Sequence, residues 1–494
     1  MTARGELTAA AVAAPGAGAP LALAIDFDGT LFAGDSLVEQ LLRLFFTDPF
    51  RLMSALPSIL KGRAAFKRAV AAAASFDPAH LPYRKEVLEL AAKARAGGAP
   101  VHLITGADQS IADRVARHLN LFDHAAGSDG ARNLVGAAKA AVLTERFPGG
   151  FHYVGDSWKD RPVFAAAAMA SVVAPTDAAG RRLAGNPGAA TILRKRATAK
   201  DWIKALRLHH WVKNTLIFVP VALGQLFDDP RSVLLSAIGF VVFGLLASAG
   251  YLINDLADID ADRAHPRKRK RAIAGGRIPA LNAALLAAGM AAAGFAAALV
   301  TDADFALWAG IYFALSFTYS IKLKREPLVD LFVIGALFTV RLIAGMVILD
   351  QPVSIWLTGF SFALFASLAF AKRNSELARA VARGGEAPQG RGYRLDDRHL
   401  LTAFGVASAM TAMVVMLLYF QFRALSTGLY DDIEALYFAP LVLFSWLLRI
   451  WIRAYRGELH DDPIIFALKD RASWAHAAVI IVIWLIADKP GFPS

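Results

Sequence analysis

The chain has 494 residues, of which 56% are hydrophobic and only 19% charged, and it contains no cysteine. A soluble domain carries roughly 25% charged residues, so the composition argues against an ordinary water-soluble enzyme and against a disordered chain; the lack of cysteine excludes disulfides, thiolate zinc sites, Fe–S clusters and cysteine nucleophiles. With 53 Lys and Arg against 41 Asp and Glu the net charge is +12, which suits an anionic membrane surface or phosphate-rich substrates, and the hydrophobicity argues against nucleic acid as a partner.

Residues 1–20 are Ala-rich and broken by Pro15, Gly16, Gly18 and Pro20, which reads as a disordered tail rather than a cleaved signal peptide. Residues 1–193 hold 20 basic and 17 acidic residues and no apolar stretch of spanning length, so this part is expected to be soluble. Apolar runs of strand length at 21–25, 101–104, 151–154 and 171–173 alternate with helical patterns, the signature of βαβ units and a parallel sheet. In such sheets the chemistry sits at the carboxyl ends of the strands. The first run leads into Asp26-Phe27-Asp28-Gly29-Thr30, the second into Thr105-Gly106, and the third into Gly155-Asp156-Ser157 with Asp160 following; Lys139 lies between the last two. Two carboxylates two residues apart on a turn can serve one site, one as nucleophile and one as acid/base. Asp156 would complete an oxygen-ligand Mg²⁺ site, and Lys139 with Thr105 would hold phosphoryl oxygens. An Asp-Gly turn alone ends strands in many proteins; four elements in order at four strand ends carry the reading.

At these residues the stretch 21–190 resembles the haloacid-dehalogenase (HAD) phosphohydrolase superfamily, an α/β Rossmannoid fold with a helical cap. The resemblance implies Asp26 as the nucleophile that forms an aspartyl-phosphate and Asp28 as general acid/base. It implies Thr105 and Lys139 as phosphate-binding residues, and Asp26, Asp28, Asp156 and Asp160 as the magnesium-binding set. The helical stretch 33–95 is similar to the family's cap, where Arg43, Arg63, Lys67 and Arg68 are candidates to meet an anionic substrate, although a solvated cap surface explains any one of them. Residues 176–200, rich in Gly, Ala and basic side chains, read as a linker at the cytoplasmic face of a membrane.

From residue 201 onward the expectation is an all-α membrane bundle of nine spans, at 211–227, 232–253, 279–300, 304–321, 328–349, 353–371, 400–420, 435–452 and 473–487. With a cytoplasmic N terminus the inside segments hold 29 basic residues and the outside loops three, Arg231, Arg423 and Lys489; Arg341 lies within a span. This puts the first domain in the cytoplasm, the bundle in the cell's inner membrane and the C terminus on the opposite side.

The second span ends in Asn254-Asp255-Leu256-Ala257-Asp258-Ile259-Asp260-Ala261-Asp262-Arg263. On a continuous helix Asp255, Asp258 and Asp262 fall within an arc of about 60° and Asp260 points away. Three carboxylates on one face repel each other unless a cation joins them, and Mg²⁺, which also takes substrate phosphates as ligands, is the cation implied. His265-Pro266-Arg267-Lys268-Arg269-Lys270-Arg271 follows, with Arg267, Lys268 and Arg271 as candidate phosphate contacts. Here residues 200–490 resemble the UbiA prenyltransferase superfamily, whose first aspartate-rich motif this matches. Within it the stretch from Asn254 to Arg271, Trp211-Val212-Lys213-Asn214, Tyr319-Ser320 with Leu323-Lys324, and Arg341-Leu342-Ile343-Ala344-Gly345 look like the decaprenyl-phosphate phosphoribosyltransferase branch. Where aromatic prenyltransferases carry a second pair of aspartates, this chain has Lys372-Arg373-Asn374-Ser375-Glu376.

The branch implies Mg²⁺-dependent transfer of 5-phosphoribosyl from phosphoribosyl pyrophosphate to a polyprenyl (decaprenyl) phosphate. Asn254, Asp255, Asp258 and Asp262 would hold the metal. Lys213, Lys268, Arg271, Tyr319, Lys322, Lys324, Lys372 and Arg373 would serve as phosphate or substrate contacts, and Arg341 would meet the lipid phosphate. The economical role for the fused phosphohydrolase is then to remove the ribose 5-phosphate; pyrophosphate removal, or action on an unrelated metabolite, also fits a cap of this kind. Two alternatives stay open on the sequence: a prenyltransferase acting on an aromatic acceptor, and a membrane scaffold or transporter with a phosphatase domain.

Overall fold

The structure, a computed structural model, describes residues 20–185, 188–385, 392–424, 433–459 and 463–487. The tail expected at 1–20 lies, except for Pro20, outside them, and so does Lys489. Two compact units form: one from the described residues up to Leu206 together with Asn254–Leu286, the other from Arg207–Ile253 and the residues from Ala287 onward. The segment 254–286, expected to belong with the spans, is thus part of the first unit. Its side chains explain this: Arg263 is buried and donates two hydrogen bonds to Glu39, at 2.7 and 2.8 Å, and a third to the Ala274 carbonyl at 3.0 Å.

The first unit is built on a six-stranded sheet in the order β3-β2-β1-β4-β5-β6, all parallel. The strands are β1 (Ala22–Ile25), β2 (Val101–Asp108), β3 (His124–Ser128), β4 (Phe151–Gly155), β5 (Met169–Ala174) and β6 (Ala190–Leu193). The apolar runs expected at 21–25, 101–104, 151–154 and 171–173 are β1, β2, β4 and β5. All four residues of β1 are buried, as an apolar run covered on both faces requires. Leu23, Ile25, Val101 and Leu103 enter one core and Ala24, Ile104, Phe151 and Tyr153 the other, the alternation a pleat imposes. Chain order reverses between β2 and β4 on either side of β1, which opens a crevice at the carboxyl ends of β1 and β4.

The expected linker at 176–200 is largely folded. Thr176 caps the helix Asp177–Ala184 through the Ala179 amide, at 3.2 Å, and β6 pairs along the edge of β5. Covering an otherwise open edge is the physical gain. Between β1 and β2 run the helices Ser36–Thr47, Pro49–Ala55, Arg63–Ala73 and Lys85–Ala96, the first started by Asp35, whose carboxylate accepts from the Val38 amide.

Inside this unit His152, on β4, has its Nε2 2.9 Å from Oγ of Ser171 on β5, and burial pushes its pKa down to about 4. A histidine held neutral in the fold is protonated first in the unfolded chain. Stability therefore falls as pH drops from the unfolded value near 6.5 toward 4, by at most about 1.4 kcal/mol per pH unit. Pulse proteolysis of the unit should show lower stability at pH 5 than at pH 7, and His152→Gln should flatten this dependence; an unchanged slope in the variant would refute the assignment.

Among the described residues six helices are long and apolar enough to cross a membrane: Pro230–Ala257, Ala280–Thr301, Val329–Val347, Ile355–Ala382, Leu395–Phe422 and Glu434–Tyr455. The other three expected spans differ in form. Residues 211–227 fall in the 3₁₀ segment Leu208–Phe218 and the short helix Val219–Leu223, residues 304–321 form the helix Ala303–Ile321, which lies outside that set, and residues 473–487 form Arg471–Ala487, 17 residues long. In the second unit small residues let backbones approach: a Cβ on Gly345 would lie 2.5 Å from the Ile217 carbonyl oxygen.

Candidate functional site

In the first unit Asp26 directly follows β1, its amide bonded to the Val154 carbonyl at 2.9 Å, so the strand pairing fixes its position. Lys139, buried on the helix Ala137–Arg146, donates to Asp26 Oδ1 at 2.9 Å, to Asp160 Oδ1 at 3.0 Å and to the Tyr153 hydroxyl at 3.0 Å. Asp28 accepts from both the amide and the hydroxyl of Ser36, at 2.7 and 3.0 Å. Thr105 is fully buried at the bend of β2, where its Oγ1 accepts from the Ala107 amide at 3.0 Å. Asp26, Asp28, Thr105, Lys139, Asp156 and Asp160 all line one cavity of about 840 Å³.

Burial pushes the pKa of Asp26 up to about 7 against the opposing pull of Lys139, and burial pushes Asp156 up to about 6 against Arg194. Burial likewise holds Asp28 well above the usual carboxylate range. Asp160 Oδ2 is buried without a hydrogen-bond partner. Crowded, desolvated carboxylates of this kind are short of positive charge, and a hard divalent cation fits them. Among the described residues no group of three or more His, Asp or Glu side chains is placed to hold a metal ion by itself. Mg²⁺ needs none, since it keeps water and substrate phosphate oxygens as further ligands.

Gly29 holds φ at +74°, and a Cβ there would fall onto the Asp156 carboxylate. Both the backbone and the space demand glycine. Gly29→Ala should destabilise this unit by about 1–3 kcal/mol, the scale of a non-glycine residue held at a left-handed φ, read as a lower urea midpoint by pulse proteolysis; wild-type stability would show that the Asp26–Asp28 turn tolerates displacement.

The sequence did not single out four other residues that line this cavity: Arg84, Trp202, Arg277 and Arg194, the last noted only as a linker charge. Arg84 Nε donates to the Gly29 carbonyl at 3.3 Å, and Arg194 stands 3.7 Å from Asp156. Of the cap cations, Lys67 lines the cavity and donates to the Gly106 carbonyl at 2.6 Å, whereas Arg43 turns to Asp260 at 2.8 Å.

The aspartate-rich segment departs from the single helical face expected. The helix Pro230–Ala257 ends before Asp258, whose φ of −96° and ψ of 10° interrupt it, and a second helix runs over Ile259–Ala264. The break still brings Asp255 and Asp262 together: Arg271 Nη1 stands 3.1 Å from Asp255 Oδ1 and 2.7 Å from Asp262 Oδ2. Lys268 is 3.9 Å from Asp262, and burial raises the Asp262 pKa against the pull of Arg271. A cation, the Arg271 guanidinium, thus joins the two carboxylates. Asp258 is half-buried, and Asp260 is exposed and bound to Arg43.

In the second unit Arg341 is buried among neutral acceptors. Its Nε donates to Asn214 Oδ1 at 2.9 Å, its Nη2 to the Tyr312 hydroxyl at 2.8 Å, and its Nη1 to the Leu337 carbonyl. Asn214 Nδ2 beside it is buried without a hydrogen-bond partner. Lys213 lies over the Phe338 ring at 5.1 Å; Tyr319, Lys324 and Lys372 are half-buried and Lys322 is exposed. Arg373 corrects the expectation of a phosphate contact. It is 2% exposed, pairs with the fully buried Asp330 at 2.7 Å and also binds Glu376, so its charge is consumed in a buried network that Tyr393 completes through Asp330.

The UbiA prenyltransferase family model matches residues 215–469. The chain belongs to the UbiA prenyltransferase family. UbiA membership makes it a membrane transferase of the prenyltransferase type. An uncharacterized protein of Sinorhizobium fredii is 46% identical over 94% of this chain and 91% of its own length, so both units are present in that relative. The decaprenyl-phosphate phosphoribosyltransferase of Mycolicibacterium smegmatis is 30% identical over 57% of this chain and 89% of its own length. A UbiA homolog from Archaeoglobus fulgidus, solved bound to GPP and Mg²⁺, is 16% identical with a TM-score of 0.44, covering 58% of this chain and 98% of that one.

Proposed function

We propose that the protein is a bifunctional, Mg²⁺-dependent enzyme that transfers 5-phosphoribosyl from phosphoribosyl pyrophosphate to a polyprenyl phosphate and then removes the 5-phosphate. The observation that carries the transferase step is the bridging of Asp255 and Asp262 by Arg271. Likeness to the mycobacterial phosphoribosyltransferase supports the choice of donor.

Asp255, Asp258 and Asp262, with Asn254, would hold Mg²⁺, which supplies neutralising charge to the departing pyrophosphate. An oxygen of the lipid phosphate attacks C1 of the ribose while the C1–O bond to pyrophosphate breaks, and pyrophosphate leaves with the electron pair. The attacking monoester is already anionic, so no base is needed. Arg271 and Lys268 are proposed to move from carboxylate to phosphate oxygens, charge-assisted contacts that a guanidinium makes well. Lys213, Tyr319, Lys322, Lys324 and Lys372 are proposed as further substrate contacts. Arg341 supplies a fixed positive charge with neutral partners, which suits it to the lipid phosphate.

The α/β unit is proposed to act as a HAD-type phosphohydrolase. Asp26 attacks phosphorus as the P–O5 bond breaks, Asp28 gives its proton to the leaving oxygen, and water then releases inorganic phosphate from the aspartyl-phosphate with Asp28 taking the proton back. Lys139 holds Asp26 in line, Thr105 lies at the phosphoryl position, and Asp26, Asp28 and Asp156, with Asp160, would hold Mg²⁺. The 29-to-3 asymmetry of basic residues supports nine crossings of the inner membrane with this unit cytoplasmic.

Incubation of the purified protein with ribose-labelled phosphoribosyl pyrophosphate and polyprenyl phosphate should move label into lipid with Mg²⁺ and not with EDTA. Label that stays in water while an isoprenyl diphosphate reacts with a phenolic acceptor would favour the aromatic prenyltransferase reading instead.

A further inference from the structure

The phosphohydrolase cavity changes character along its length. Its deep end holds the buried Asp26, Lys139 and Asp160. Its less buried lining includes Arg194, Lys195, Arg196 and Arg277, together with Trp202 and the stretch Pro279–Asn282, where Leu281 is 48% exposed; this less buried part is taken as the outer part. The second wall is built into the unit. Arg277 Nε donates to Asp201 Oδ1 at 3.1 Å and its Nη2 to the Lys270 carbonyl at 3.0 Å, which ties the two lining segments together. Gly276, at φ +69°, lies so close to Ala33 that a Cβ would strike the Ala33 carbonyl. Arg263 anchors the same segment through Glu39 and lies 5.5 Å from the Phe32 ring.

A phosphate monoester alone needs the deep end only. Beyond it stand the exposed Lys195 and Arg196 together with Arg194 and Arg277, whose carboxylate neighbours are Asp156 and Asp201; the excess of cations over carboxylates suits a second anion, and the apolar residues after them begin Ala280–Thr301, a helix apolar enough to cross a membrane. We infer that the outer part of this cavity is a phosphodiester subsite, in which Arg277 and Arg196 hold a diester phosphate and Leu281 meets the first carbons of its lipid chain. The substrate class is therefore a phosphomonoester carried on a lipid phosphodiester, drawn from the membrane surface and not from water. This rests on the phosphohydrolase reading above and deepens it: the diester is recognised independently of the sugar between the two phosphates.

The test uses the full chain in detergent micelles with two probes. p-Nitrophenyl phosphate reports the deep end, and decyl methyl phosphate, a diester with no monoester to cleave, reports the outer subsite as an inhibitor. Decyl methyl phosphate should inhibit hydrolysis of p-nitrophenyl phosphate competitively, with an inhibition constant that rises at least tenfold in Arg277→Ala and in Arg196→Ala and returns toward wild type in Arg277→Lys. With farnesyl-phosphoryl ribose 5-phosphate as substrate, kcat/KM should fall at least tenfold more than with p-nitrophenyl phosphate in the same alanine variants. Absence of inhibition, an inhibition constant that the alanine variants do not change, or equal losses on both substrates would overturn the subsite. Arginine-dependent inhibition without turnover of the ribose compound would keep the subsite and refute the ribose 5-phosphate reading. Turnover of the ribose compound with no arginine dependence would do the reverse.

Discussion

Asp26→Asn protein is expected to release phosphate at least about 10³-fold more slowly than the wild type, because the side chain that would bond to phosphorus is no longer a nucleophile. The substitution keeps the shape of the site. The introduced amide still offers an oxygen to Lys139, and Lys139 keeps Asp160 as its charged partner at 3.0 Å. Transfer to lipid should continue, so lipid-linked ribose that retains its 5-phosphate should accumulate. The check is the phosphate content of the extracted lipid after a fixed incubation. If Asp26→Asn dephosphorylated that lipid at the wild-type rate, Asp26 would not be the nucleophile.

Asp255→Ala and Asp262→Ala should each reduce phosphoribosyl transfer by about 10²- to 10³-fold, the scale on which loss of preorganised charge at a leaving group acts. Each removes one of the two carboxylates that Arg271 joins, leaving an excess of positive charge where Mg²⁺ is proposed to bind. Asp260→Ala is the comparison, because Asp260 is exposed and engaged only with Arg43 among the contacts described. It should retain most of the transfer activity. Labelled transfer at saturating Mg²⁺ separates the variants, and equal activity in Asp255→Ala, Asp262→Ala and Asp260→Ala would remove the aspartates from the chemistry. A scaffold or transporter also predicts that equality.

The sheet was legible where strands are continuous apolar runs, since burial on both faces leaves few other choices, and the site residues at their ends were legible because a turn after a strand is local. β3 was not, because His124–Ser128 has no apolar run, and β6 was not, because its pairing with β5 depends on a neighbour rather than on its own short sequence. The aspartate-rich motif was legible as a set but not in its geometry: periodicity carried the helix through Asp258, where the backbone breaks it. Arg373 shows the same limit. A basic residue at a span end looks available to phosphate until Asp330, 43 positions earlier, takes its charge. The Glu39–Arg263 pair, 224 positions apart, and the place of Arg277 on the cavity wall follow from tertiary packing alone.

The most direct test of the bifunctional account is one time course with phosphoribosyl pyrophosphate that carries ¹⁴C in the ribose and ³²P in the 5-phosphate, supplied with polyprenyl phosphate and Mg²⁺. Wild-type protein should bring both labels into lipid in equal proportion at first and then lose ³²P as inorganic phosphate while ¹⁴C stays. Asp26→Asn should hold the initial ratio throughout, and Asp255→Ala should leave both labels in water. If no ¹⁴C reached lipid in any of the three proteins, or if ³²P left the lipid equally fast in Asp26→Asn, the account would be contradicted.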